Sequence, residues 1–540
     1  MLKNKSNNLT EQGRKEQIKG NFVKAIELYK KALIKDPKDI NASLNMGLCY
    51  ASIDANGDAA RIFHEVHILY PDNDDIWLLA GKTYLKNGQY DVALNFFKKY
   101  VNKHPKSYES WVNLSVCSLG SNNLTPAIYY ATQALSIEPT NPTSYLNLGS
   151  ALFAFRKFNE AKECFDTVLQ LDPENIQALA NIGNILHELQ NYESAIEIYE
   201  KCLKKTKFGS VAYHDIAYRL SYPLLTIGKL SEGWLFYESG LKLHDKRARH
   251  PQRKFKVPQW NGENINGKRL LVWREQGLGD EFRFLSLLPS ILDKCEKVII
   301  ECSPRLITLL SRSFPTCEVR TETISMPDLQ TDFNDYDYHL PIGSLCKLYF
   351  HDSNNIIPPS PYIKPKQDKV ELFKLRLQAH TDKKIVGICW RSGFINSERN
   401  ANYTTISEWE PIFNNENCVF VNLQYGECSA EIEGVRKHFG IQIINWPDID
   451  LMNDLESVSA IIKCMDLVIT VGTAVHSMAE TIGTPIFLLA HNGWINLGQS
   501  KWPWSEKVTI FSPTDIQTPM STVITDVALA LNNFSSFEDI

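Results

Sequence analysis

At 540 residues the chain exceeds what one hydrophobic core supports, so at least two domains are expected. It is 44% hydrophobic and 22% charged, the balance of a soluble globular protein. Its formal net charge of −5 argues against general polyanion binding, which needs a basic surface to release counterions, and no nucleic-acid partner is expected.

The first segment, MLKNKSNNLTEQGRKEQ, is polar throughout and lacks the apolar core of a signal peptide. No run approaches the roughly 18 apolar residues of a membrane span, so no transmembrane segment is expected. The 12 cysteines are scattered without a C-x-x-C pair, which reads as small buried hydrophobes in a reducing compartment. A cytoplasmic protein without a metal site is the expectation.

Pro37, Pro71, Pro105, Pro139 and Pro173 then recur at steps of 34 residues, the tetratricopeptide period. In phase with them run Ala25, Ala59, Ala93, Ala127, Ala161 and Ala195, small enough for two antiparallel helices to approach closely. Tyr29, Phe63, Phe97, Phe165 and Tyr199 hold a bulky phase, and Gly13, Gly47, Gly81, Gly149 and Gly183 a third, where helices cross. This predicts six repeats from about Ser6 to Lys205 and a degenerate seventh hairpin with a turn at Gly228. The aromatic cluster Trp234, Phe236 and Tyr237 predicts that this last hairpin docks on the following domain, because terminal repeats of a solenoid are atypical. Such an array offers a concave groove and no chemistry of its own. Asn45, Asn113, Asn147 and Asn181 share one phase, interrupted by Leu79. A ladder of side-chain amides, each both donor and acceptor, suits the backbone of an extended peptide; the alternative is that asparagine simply favours this repeat position.

Around Lys242 to Trp260 the chain turns basic and proline-flanked, a linker. Leu270–Trp273 reads as a strand, Gly277-Leu278-Gly279-Asp280 as a tight turn, Glu281–Leu292 as an amphipathic helix and Val298–Glu301 as the next strand. A glycine loop at the carboxyl end of a strand is where open α/β sheets place ligands, and a helix N-terminus there favours an anion. The loop is not G-x-G-x-x-G and has no Walker lysine, so nicotinamide and P-loop chemistry are unsupported. The stretch Phe314–Asp368 is less regular and carries the proline-rich connector NNIIPPSPYIKPKQDK. Beyond it, KKIVGICWRSG and CVFVNLQYGE read as strands, and MDLVITVGTAVHSMAETIGTPIFLLA as strand, glycine loop, helix, strand. The expected architecture is an α superhelical repeat domain over 1–240, a linker over 241–262 and two Rossmann-like α/β halves over 263–365 and 366–540.

The ordered series PQWNGE, GKRLL, EQGLGDEFRF, VGICWRSG, LQYGE and DLVITVGTAVHSMAETIGTPIF resembles bacterial tetratricopeptide-repeat glycosyltransferases, whose catalytic part is similar to the heptosyltransferase-like group of GT-B fold. The resemblance implies metal-independent, inverting transfer of a sugar from a nucleotide-sugar donor, without a cofactor, to a protein or peptide acceptor held by the repeat groove, such as flagellin or another surface protein. It implies Asp280 as general base, Gly277, Gly279 and Gln276 in the acceptor-side loop, and Arg391 with the helix after Gly472 as neutralisers of the departing diphosphate. Gln424, Thr473 and His476 fall at donor-binding positions, and Trp502 and Trp504 in the closing segment. One departure stands out. The second loop of the group usually reads V-D-T-x-x-x-H, whereas here Gly472 takes the aspartate position, and the histidine shifts by one to His476, with Ser477 in its place. Each site residue also has a plain structural reading: Asp280 as helix cap, Arg391 as ion-pair partner, His476 as an ordinary helix histidine, and Glu275 and Gln276 as strand-end scaffolding. Two other functions compete: a transferase on a surface polysaccharide or lipid-linked glycan, and a non-catalytic repeat scaffold with a decayed transferase domain.

Overall fold

The computed structural model describes residues 2–53, 55–243, 248–250, 253–322, 335–380, 382–392, 403–516 and 518–534, the side chains of 2–5 excepted. Gly393, parts of the 241–262 linker and the end of the C-W-R-S-G segment lie outside them. The chain forms two compact units, Met1–Ile182 and Gly183–Ile540.

The first unit is built of antiparallel helix pairs: Leu2–Ile18 with Phe22–Lys35, Ile40–Ser52 with Asn56–Leu69, Asp74–Lys86 with Tyr90–Lys103, Tyr108–Gly120 with Leu124–Ile137, and Pro142–Ala154 with Phe158–Leu171. Helix Ile176–Glu188 spans the boundary between the units, and Tyr192–Lys205, Val211–Thr226 and Leu230–Tyr237 follow, making fourteen solenoid helices among the described residues.

The repeat phases have a direct steric cause. A methyl group placed on Gly47 would stand 2.8 Å from the Phe63 ring, on Gly81 2.8 Å from Phe97, and on Gly149 2.6 Å from Phe165. In the second unit Gly183 meets Tyr199 in the same way, at 2.7 Å. Each aromatic ring therefore lies flat against a glycine of the preceding helix and is fully buried there or nearly so. The fourth repeat exchanges both partners: Ser115 stands at the glycine position and Ala131 at the aromatic one, and the Ser115 hydroxyl donates to the Ala127 carbonyl at 2.8 Å. Gly81→Ala is accordingly expected to destabilise the unit. Overpacking costs about 1–3 kcal/mol and outweighs the ~0.5–1 kcal/mol that alanine gains over glycine in a helix. Phe97→Ala alone should cost about 3–5 kcal/mol, and the double variant should cost less than the sum of the two single ones, which urea denaturation of all three variants would check.

The second unit holds two parallel sheets. Their strands are β1 Arg269–Trp273, β2 Lys297–Cys302, β3 Glu318–Thr321, β4 Tyr338–Pro341, β5 Lys384–Cys389, β6 Cys418–Asn422, β7 Leu467–Val471, β8 Ile486–Leu489 and β9 Val508–Phe511. The first sheet runs β3-β2-β1-β4 and the second β6-β5-β7-β8-β9, every pairing parallel. Strand order reverses beside β1 in the first sheet and between β5 and β7 in the second, and in such sheets the carboxyl ends at the reversal form the ligand crevice. The turn expected at 277–280 is instead the first turn of helix Leu278–Leu285, capped by Gly277. That helix ends early and passes into a 3₁₀ segment, Leu288–Lys294. β3 and β4 fall in the stretch expected to be irregular. Both are four-residue edge strands, and β4 ends on Pro341, which an edge tolerates.

The last hairpin packs on this α/β region. Tyr222, Trp234 and Tyr237 approach the Trp494 ring with centroids 5.6, 6.2 and 5.6 Å away. Leu230, Trp234 and Tyr237 belong to the same apolar core as Leu270, Val272 and Phe284. No helix among the described residues is long and apolar enough to cross a membrane.

Candidate functional site

The carboxyl ends of the two sheets face a cavity of about 710 Å³. Gly277, Leu278, Gly279 and Asp280, following β1, line one wall; Gly472, Thr473, Ala474 and His476, following β7, line the other. Each loop opens a helix, Leu278–Leu285 and Ala474–Ile482. The helices cross so closely that a methyl on Gly279 would lie 3.3 Å from Ser477 Oγ and 3.7 Å from Ala474 Cα. Two positive helix ends are thereby turned toward one space. A methyl on Gly472 would meet nothing within 4 Å, so this position opens onto free volume where the heptosyltransferase-like pattern has a carboxylate.

Asp280 is half-buried and accepts a hydrogen bond from the Gly277 N–H at 3.3 Å, closing the first helical turn. Its neighbour Glu281 points the other way, into the protein. There Glu281 accepts the Ser303 N–H at 2.8 Å and faces Arg274 at 3.3 Å. Burial pushes its carboxyl up to about 7.

Gln276 takes the left-handed conformation, φ 56°, which an ordinary side chain adopts only when its surroundings hold it. The last hairpin supplies them: the Tyr237 hydroxyl donates to Gln276 Oε1 at 3.0 Å, and Gln276 Nε2 donates to the Tyr218 hydroxyl at 3.3 Å. The Gln276 N–H donates to the Arg249 carbonyl at 2.9 Å. Arg249 and Glu275 are themselves fully buried and paired at 2.5 Å. Glu275 also accepts the Gly343 N–H from the loop after β4, and Arg249 reaches Glu238 at 3.0 Å and lies over the Tyr237 ring at 4.1 Å. Glu275 and Gln276 thus brace the loop from behind, and neither lines the cavity.

The remaining candidates divide. Arg391 does not line the cavity. It is held in a two-pronged ion pair with Glu431, and its Nη2 also donates to the Glu427 carbonyl at 2.8 Å. Gln424 is buried and ties two strand ends together, its Oε1 accepting the N–H groups of Trp390 and Arg391 at 3.2 and 3.0 Å and its Nε2 donating to the Tyr425 carbonyl. Thr473 lies at the cavity as the N-cap residue of its helix. Trp502 borders the cavity and donates to Glu480 at 2.8 Å, whereas Trp504 packs behind it on Phe284 and Phe350. His476 is almost wholly buried; burial, and then the Arg283 charge, hold its imidazole well below the ordinary histidine range, so it stays neutral.

Sequence reasoning missed the cavity residues Arg283, Arg305 and Trp494. For Arg283 a signal was present: one charge inside the apolar run FRFLSLLP, matched by Glu480 as the lone carboxylate in HSMAETIG.

In the first unit Asn45, Asn113, Asn147 and Asn181 all lie half-buried on the first helix of their pairs, with Leu79 in that place on Asp74–Lys86. The Nδ2 atoms of Asn113 and Asn147 are buried and make no hydrogen bond among the described residues.

Tetratricopeptide-repeat family models match residues 54–115 and 146–209. The chain carries tetratricopeptide repeats. It is 31% identical over 328 residues to protein FlbA of Caulobacter vibrioides, a match covering 58% of this chain and 54% of FlbA. It is 30% identical over 111 residues to the BBSome complex member BBS4 of Bos taurus, 21% of each chain. The repeat protein thus spans about half the length of FlbA and about a fifth of BBS4. The FlbA match is longer than the helical array, which ends at Tyr237, so it includes part of the α/β region. Solved structures with likeness to it include MamA 41-end from Desulfovibrio magneticus RS-1 (20% identity, TM-score 0.31, 32% of this chain and 97% of that one). Another is a tetratricopeptide repeat protein from Parabacteroides merdae (14% identity, TM-score 0.41, 45% and 94%).

Proposed function

We propose that this repeat protein is a glycosyltransferase of GT-B type, moving a sugar from a nucleotide-activated donor to a protein acceptor held by its repeats. The observation that carries the reading is the convergence of two glycine-opened helix N-termini on one cavity, with Asp280 in its wall. A nucleoside diphosphate leaving group is a dianion or more, and oriented backbone N–H groups at two helix ends stabilise such charge as it develops. Asp280 accepts the proton of the acceptor hydroxyl as its oxygen attacks the anomeric carbon. The bond from that carbon to the diphosphate oxygen breaks on the opposite face, and the diphosphate departs with the electron pair. The open space at Gly472 favours a donor sugar different from that of the heptosyltransferase-like group.

The acceptor side draws support from the first unit. Buried donors without partners are costly, about 1–3 kcal/mol each. The Asn113 and Asn147 amides are such donors, on the helices that carry the candidate asparagine ladder. Protein recognition is also the general use of such arrays.

The test is thermal melting of the full chain with UDP, GDP, CDP, dTDP and ADP in turn. One of them at a hundred times its Kd should add about 2.7 kcal/mol of stability and raise the melting temperature by several degrees. Absence of a shift with all five would overturn the reading and leave the non-catalytic scaffold in its place.

A further inference from the structure

We propose that Arg283 is the residue that binds the donor diphosphate. This rests on the nucleotide-sugar reading above and assigns the charge that the reading requires but that Arg391, committed to Glu431 outside the cavity, does not supply. Among the described residues three arginines line the cavity: Arg274, Arg283 and Arg305. Arg274 faces two carboxylates, Glu281 at 3.3 Å and Glu322 at 3.6 Å. Arg305 is exposed at the rim and donates to the Met452 carbonyl at 3.0 Å. Arg283 alone of the three lies between the two helices whose N-termini meet. It leaves helix Leu278–Leu285 and reaches the first turns of helix Ala474–Ile482, where its Nη2 donates to Ser477 Oγ at 3.2 Å and to His476 Nδ1 at 3.4 Å.

Its surroundings are under-satisfied in a way that points to a ligand. Arg283 is 8% exposed, His476 1% and Glu480 3%. Yet Arg283 Nε, His476 Nε2 and Glu480 Oε1 make no hydrogen bond among the described residues. Arg283 Nε stands 3.7 Å from Glu480 Oε1, and His476 Nε2 stands 3.3 Å from Glu480 Oε2 without bonding geometry. The three side chains thus stand in loose contact with one another. The Trp502 and Trp504 rings, 5.3 and 5.9 Å from the guanidinium carbon, restrict its other directions. Burial holds the Glu480 carboxyl above its ordinary range. Neutral His476 and Ser477 add groups that bond phosphate oxygens without adding charge. The group's single histidine is thus replaced by a set centred on an arginine from the opposite wall.

The experiment measures binding to full-length protein by calorimetry, with the nucleoside diphosphate that shifts the melting curve and, by competition, with its parent nucleoside. Arg283→Gln should weaken the diphosphate about 10- to 100-fold, the range for a lost charged hydrogen bond, while the nucleoside binds as before. Arg283→Lys should keep part of the diphosphate affinity, and Glu480→Gln, with one negative charge fewer, should bind it at least as tightly as wild type. Diphosphate affinity within threefold of wild type in folded Arg283→Gln, or equal loss of diphosphate and nucleoside, would overturn the assignment. If Arg283→Gln fails to fold, the same comparison in Arg283→Lys decides, a proportional loss of both ligands again overturning it. Wild-type protein that binds no diphosphate would instead defeat the transferase reading itself.

Discussion

Asp280→Asn is expected to lower sugar transfer by about 10²–10⁴-fold, the usual worth of a positioned general base, with donor affinity within severalfold of wild type. Asparagine is the informative choice because Asp280 also caps its helix, accepting the Gly277 N–H. The amide oxygen preserves that bond and the shape of the loop, so only the proton acceptor is lost. Initial rates with a radiolabelled donor, alongside donor binding by calorimetry, separate the two roles. Transfer at the wild-type rate would remove Asp280 from the chemistry. Loss of donor binding together with transfer would make it a structural cap.

Arg249→Met is expected to destabilise the second unit by about 3–5 kcal/mol, because it strands Glu275 as an uncompensated buried carboxylate. Both side chains are wholly inaccessible, and burial already raises the Glu275 carboxyl above its ordinary range. The double variant Arg249→Met/Glu275→Gln should recover much of the loss, since it removes the orphaned charge along with its partner. Urea unfolding followed by tryptophan fluorescence would measure both. Equal stabilities for the single and double variants would show that the pair is not the source of the effect.

What the sequence made legible was local. The repeat register follows from side chains 16 residues apart, Gly81 against Phe97 or Gly149 against Phe165, so size and spacing alone reveal it. The fourth repeat obeys the same steric rule in reverse, with Ser115 and Ala131 exchanging bulk. The loop at Gly277–Asp280 was visible because a glycine pair after an apolar run has few other uses. Helix Leu278–Leu285 nevertheless begins three residues earlier than the hydrophobic pattern suggested, since the Asp280 carboxylate accepts the Gly277 N–H and closes that turn. Short edge strands such as Glu318–Thr321 carry too little periodicity to be seen. Long-range partnerships were out of reach: Arg391 looked like an anion ligand until Glu431, 40 residues on, appeared beside it. Arg283 and Ser477 meet across 194 residues of chain.

The tyrosines that grip Gln276 also bear on how such proteins are cut and joined. Tyr218 and Tyr237 belong by sequence to the repeat array, yet their hydroxyls hold the Gln276 side chain in the segment that leads into Asp280. A fragment starting after Tyr237 would lose one wall of its own loop, so the last hairpin is inherited with the α/β region. Exchange of repeat arrays between proteins of this kind is therefore best made before Ser210, which caps the helix carrying Tyr218. The segment from Ser210 onward is then kept whole with the loop it braces.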